Sequence, residues 1–142
     1  MNTTTQILLT AFGGFVVFTI GQITVKFFIE PVYNYKLQIG KIIDALIYYA
    51  NIYTNPGHLK QELMDEASEE LRRCATSLMS KYFAIPFRCV LILFRVIKSK
   101  PKIYKIRKNL IGLSNSVYKG DPLHNDKMRK EIENILKIKT DG

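Results

Sequence analysis

Three groups of side chains in this 142-residue sequence are of types that could do chemistry. His58, Glu62, Glu66 and Glu70 recur at intervals of four. On one helix they would line an imidazole and three carboxylates along a face, the raw material of a metal site. No Glu-x-x-His or His-Glu-x-x-His pairing accompanies them. Acids at the start of a helix also complement the positive end of its dipole, so the stripe reads as a solvated acidic face. His124 stands near Asp121 and Asp126 in the loop that Gly120 and Pro122 mark, with Ser114 and Ser116 upstream. Asp and His together can move a proton, but hydrolysis also needs an activated nucleophile, and no Gly-x-Ser-x-Gly elbow surrounds either serine. Cys74 and Cys89 are the two thiols, with Arg72, Arg73 and Arg88 close by in sequence. A nucleophilic thiol must be exposed as well as electropositively placed. Both fall on apolar helical patterns, which points to buried, reduced cysteines without a disulfide framework. Neither a Walker-type loop nor G-x-G-x-x-G is present. The expectation is a non-enzymatic chain with no catalytic residue, metal, cofactor or small-molecule substrate.

The one functional signal is charge. Net charge is +9, from 21 Lys/Arg and 12 Asp/Glu. Residues 1–25 carry no charge at all, while residues 72–108 carry 11 Lys/Arg and no acid. Seven of these fall within 95–108: Arg95, Lys98, Lys100, Lys102, Lys105, Arg107 and Lys108. With Arg88 they form the candidate contact set for an anion, whether lipid headgroups, an acidic protein face or nucleic acid. Part of any such run is ordinary solvated surface, its stems packed on the core.

The elements that place these cations begin with residues 7–25, ILLTAFGGFVVFTIGQITV, which can run on to Ile29. As a helix, 19–23 residues span roughly 28–34 Å, the thickness of a hydrocarbon core. The preceding MNTTTQ lacks a positive charge and no small-x-small cleavage site follows, so a retained anchor is expected rather than a cleaved signal. Lys26, Lys36 and Lys41 all lie after the segment, which puts the N-terminus outside and the remainder in the cytoplasm. Ala11, Gly14, Phe18 and Gly21 share one face of this helix; small residues there let membrane helices approach closely.

Beyond Pro31, which can break or kink a helix, the apolar spacing predicts helices over 32–53, 59–82, 83–97, about 101–119 and 125–138. The first has a heptad-like stripe, and Asn55, Pro56 and Gly57 end it. The second carries Leu59, Leu63, Ala67, Leu71, Cys74, Leu78 and Tyr82 inward, with acids early and bases late. Residues 83–97, FAIPFRCVLILFRVI, are apolar but too short to span, and Arg88 and Arg95 would share a helix face. That segment is either a central core helix or one lying in a membrane interface. Ser99 and Pro101 start the next helix, and Gly120, Asp121 and Pro122 end it. The tail, Thr140 to Gly142, is expected to fray.

The fold class expected is all-α: one transmembrane helix, then a compact bundle of four to five amphipathic helices. Residues 1–30 would be the anchor, spanning about 7–29, and residues 31–142 a basic cytoplasmic domain. The function expected is that of a single-pass membrane-anchored interaction or scaffold protein, its basic helices against anionic lipid or an acidic partner. It could self-associate through the anchor and the 32–53 stripe. Two alternatives share these features: an oligomeric effector that perturbs the bilayer through 83–97, and a membrane-tethered nucleic-acid binder. For the latter Tyr104 offers a stacking ring among Lys102, Lys105 and Arg107, but no reading module such as helix-turn-helix accompanies it.

Overall fold

A computed structural model describes residues 2–138 of the chain, and the expectation about the tail after Ile138 lies outside them. The uncharged N-terminal stretch forms the first half of a single helix, Thr3–Tyr48. Its parts are α1 (Thr3–Thr24), a π-helical stretch (Val25–Ile29) and α2 (Glu30–Tyr48). No residue of α1 is buried. The hydroxyls of Thr10, Thr19 and Thr24 donate to the carbonyls of Gln6, Phe15 and Ile20 at 2.8–2.9 Å, so these polar groups need no water. The helix is long and apolar enough to cross a membrane.

Pro31 does not break the helix. It has no N–H to offer the Phe27 carbonyl, and the chain passes this point by widening: the Glu30 N–H bonds five residues back, to Val25. The boundary expected at residue 30 therefore falls inside a continuous helix. A real break comes at Tyr49, before the short α3 (Ala50–Thr54), so the expected 32–53 helix is two pieces. The turn after it requires Gly57, whose φ is +75°. Its N–H donates to the Val117 carbonyl at 3.0 Å, and a Cβ there would lie 2.7 Å from the Tyr118 carbonyl oxygen.

α4 (Gln61–Ala84) runs back antiparallel to α2, α6 (Lys100–Ser116) returns along α4, and α7 (Pro122–Leu136) packs on α6. Among the described residues there is no strand. The apolar stripes meet in one core: Ile42 and Leu46 from α2, Leu71 and Leu78 from α4, Ile106 and Leu110 from α6, and Ile132 from α7 are all fully buried. Each contributes about 1.5–3 kcal/mol relative to an exposed position. One inward assignment on α4 is corrected: Leu63 is exposed and Met64 takes the core position, three residues before Ala67 on the face that continues through Leu71 and Leu78.

The largest departure is at 83–97. Instead of one helix, α4 runs on to Ala84, the chain turns through Phe87 at φ 49°, and a six-residue α5 (Arg88–Leu93) follows. The turn after it passes through Arg95, also left-handed at φ 57°. Pro86 accounts for the first turn: it disfavours helical backbone at Ile85, which is extended. Most of the segment is exposed, with only Ile85 and Ile97 buried, so it is not the central core helix. Cys89 is correspondingly exposed, whereas Cys74 is buried.

Candidate functional site

The antiparallel packing gives the domain two chemically different ends. At the end beside the π-helical stretch, Phe28 stacks on Phe87 with ring centroids 5.5 Å apart, and Tyr35 meets Tyr82 at 6.2 Å. Lys81 donates to Gln38 Oε1 at 2.9 Å, and the Lys98 N–H reaches the Tyr35 hydroxyl at 3.4 Å. At the opposite end the Tyr49 hydroxyl donates to Glu66 at 2.8 Å, Tyr118 donates to Asp65 at 2.6 Å, and Asn125 donates to the Tyr53 carbonyl at 2.6 Å. The acid-rich start of α4 thus stands at the end away from the π-helical stretch, and the cations of residues 81–102 stand at the end beside it.

Four cations converge at the near end. Arg95, Lys98 and Lys102 line a groove of about 500 Å³ together with Lys137, Ser99, Ile92 and Ile97, and none of the described residues that line it is an acid. Burial, with the like charges of Lys137 and Lys102 adding to it, holds the Lys98 ammonium below the usual lysine range. α6 also begins here, at Ser99, which is extended at the N-cap but makes no capping bond with its side chain. Lys137 was not among the residues legible as a site. It reaches the groove because α7 ends there, in a left-handed C-cap at φ 62°, and no local sequence signal reports that return.

The other candidate cations are dispersed. The Arg88 guanidinium donates to the carbonyls of Phe83 at 2.8 Å and Ile85 at 3.1 Å, and lies 5.2 Å from the Phe83 ring centroid. It thereby closes the C-terminus of α4, where a cation also complements the dipole. Because the segment is not one helix, Arg88 and Arg95 do not form a common stripe. Lys100 lies over the Phe83 and Tyr104 rings at 5.9 and 5.7 Å. Lys105 is ion-paired with Glu131 at 2.5 Å, while Arg107 and Lys108 are exposed farther along α6. On α1, Ala11, Gly14, Phe18 and Gly21 are all exposed, and a Cβ at Gly14 or Gly21 would meet nothing within 4 Å.

The groups that could have done chemistry are not brought together. His58 precedes α4 and is exposed, off the helix that carries Glu62, Glu66 and Glu70. Among the described residues no three His, Cys, Asp or Glu side chains cluster as metal ligands. Asp121 is the N-cap of α7, accepting from the Leu123 N–H at 3.1 Å, so His124 lies on the first turn of that helix rather than in a loop. Asp126 pairs with Arg129 and Lys130. Ser114 is buried against Ser68 at 3.3 Å, and Ser116 donates to the Leu113 carbonyl. Burial pushes the Cys74 thiol up to about 11, with Glu70 adding to it, the reverse of what a nucleophile needs.

Comparison of the chain with known protein families, with curated proteins and with solved structures gives no match.

Proposed function

We propose that the protein is a single-pass, non-enzymatic membrane-anchored interaction protein. α1 is its retained anchor, the N-terminus lies outside the cell membrane, and the basic helical domain rests its near end on the anionic cytoplasmic leaflet. The observation that carries this reading is the groove of Arg95, Lys98, Lys102 and Lys137 at the end of the domain beside the anchor. Each Lys or Arg held near an anionic leaflet contributes about 1 kcal/mol, so four together exceed thermal energy several-fold. Lys26 and Lys36, just after the anchor, favour the same side. Self-association through the Ala11, Gly14, Phe18 and Gly21 face is part of the proposal. The 32–53 stripe has no share in it, since Tyr35, Ile42 and Leu46 are buried against the chain's own helices.

Hydrogen exchange of the full chain in nanodiscs tests the lipid contact. Exchange across residues 95–103 should slow in discs containing a third anionic lipid relative to purely zwitterionic discs, and the difference should shrink as salt is raised. Equal exchange in both would point to an acidic protein as the ligand of the groove, or to nucleic acid if single-stranded RNA alone slows it.

A further inference from the structure

The groove sits behind a second feature for which charge does not account. Phe87 is 68 % exposed, Val90 50 %, Leu93 78 % and Phe94 73 %. Phe87, Val90 and Phe94 are spaced three and four apart on the outer side of α5, with Leu93 beside them. The inner side of the same turn, Leu91 and Ile92, packs on the core. A short helix on a water-facing surface would carry polar residues outward. This one is apolar on both sides, and its outer side joins the exposed apolar surface of the long helix through the Phe28–Phe87 stack. Left-handed residues bracket it, Phe87 before and Arg95 after. Such backbone persists in non-glycine residues only where the surroundings hold it, and its effect here is to project α5 as a protruding loop. Arg88 lies on α5, Arg95 and Lys98 follow it at the groove, and Lys26 and Lys81 line a cleft with Glu30 at the C-terminal end of α4. An apolar tip flanked by cations matches the boundary between acyl chains and anionic headgroups.

We infer that α5 and its flanking turns are a membrane foot: Phe87, Val90, Leu93 and Phe94 enter the acyl boundary of the leaflet that holds α1, giving the domain a second attachment. The foot docks hydrocarbon rather than another protein because its surface is continuous with that of the anchor and lies level with the anchor's inner end. At six residues α5 rises about 9 Å, enough to lie in an interface and far too little to cross. This inference rests on α1 being an anchor, and its test separates the two.

Cys89 lies on α5 and is exposed, whereas Cys74 is buried, so an environment-sensitive fluorophore attaches selectively at Cys89 in the full chain. In vesicles of zwitterionic lipid with a third anionic lipid, phospholipids spin-labelled high on the acyl chain should quench this label several-fold more than one at Lys60→Cys (in Cys89→Ser), which marks the far end. Aqueous iodide should show the opposite order. Leu93→Ser/Phe94→Ser should return the Cys89 label to water while a label at Phe15→Cys (in Cys89→Ser) stays lipid-quenched. If the Cys89 label in the otherwise unaltered chain is iodide-quenched like the Lys60→Cys label while Phe15→Cys is lipid-quenched, the foot is overturned and the anchor stands. If Cys89 is shielded from both quenchers, a protein contact covers α5 and the foot is again overturned. If Phe15→Cys is itself in water, the anchor reading fails and takes the foot with it.

Discussion

At the scale of single residues, Cys74, Ser114, Asp121 and Asp126, which look reactive in the sequence, are committed to structure, whereas Cys89, His58 and His124 are exposed. Cys74 and Cys89 illustrate what spacing alone conveys. Both fall on apolar patterns, but Cys74 lies on a helix that buries its stripe, and Cys89 lies where Pro86 has ended that helix. With its thiol held up at about 11, Cys74 has almost no thiolate at pH 8. One equivalent of a thiol reagent should therefore label the native chain at pH 8, all at Cys89, and two equivalents the denatured chain. Rapid labelling of both in the native state would contradict the burial assigned to α4. Asn125 is the other instructive residue. It is fully buried and ties α7 to the end of α3 through the Tyr53 carbonyl. Asn125→Ala should cost about 1–3 kcal/mol, the loss of a buried hydrogen bond between α7 and α3, read as a lowered urea midpoint.

Among elements, long amphipathic helices were legible and their interruptions were not. The stripe of α6, through Ile103, Ile106, Leu110, Leu113 and Val117, is fully buried, as its three-and-four spacing demands. The segment 83–97 has no such stripe, since nearly every residue is apolar. Period cannot then separate a core helix from a surface one, and the left-handed backbone at Phe87 and Arg95 leaves no mark in residue type. Gly57 is the opposite case, a turn residue whose need is visible in both sequence and structure. Gly57→Ala should destabilise by about 1–3 kcal/mol, because a strained φ and a close carbonyl act together. The α6–α7 pairing adds a pH dependence. The Asn109 amide at 2.7 Å and then Lys105 hold the Glu131 carboxyl below its usual range. A lowered folded-state value means that the contribution is present above the unfolded carboxylate's value of about 4 and disappears as pH falls through the folded one. The Tm should stay level from pH 7 to about 5 and drop below about 4, and Glu131→Gln should make that drop smaller.

For the whole molecule, composition conveyed an uncharged apolar stretch and a basic remainder, but not how folding would sort the charges. That sorting depends on α2, α4 and α6 running antiparallel, which brings residues 81–102 back to the end beside the π-helical stretch and carries Glu62, Asp65 and Glu66 to the other. Lys137 joins the groove only through this topology. The central claim, that the near end of the domain selects anionic lipid, is tested most directly by the lipid the protein keeps. The full chain is extracted with mild detergent from vesicles of equal zwitterionic and anionic phospholipid, and the bound lipid is quantified. The account predicts several-fold enrichment of anionic lipid, lost in Arg95→Ala/Lys98→Ala/Lys102→Ala/Lys137→Ala while helix content is unchanged. Retention of the two lipids in equal amounts, or enrichment that survives the fourfold substitution, would contradict it.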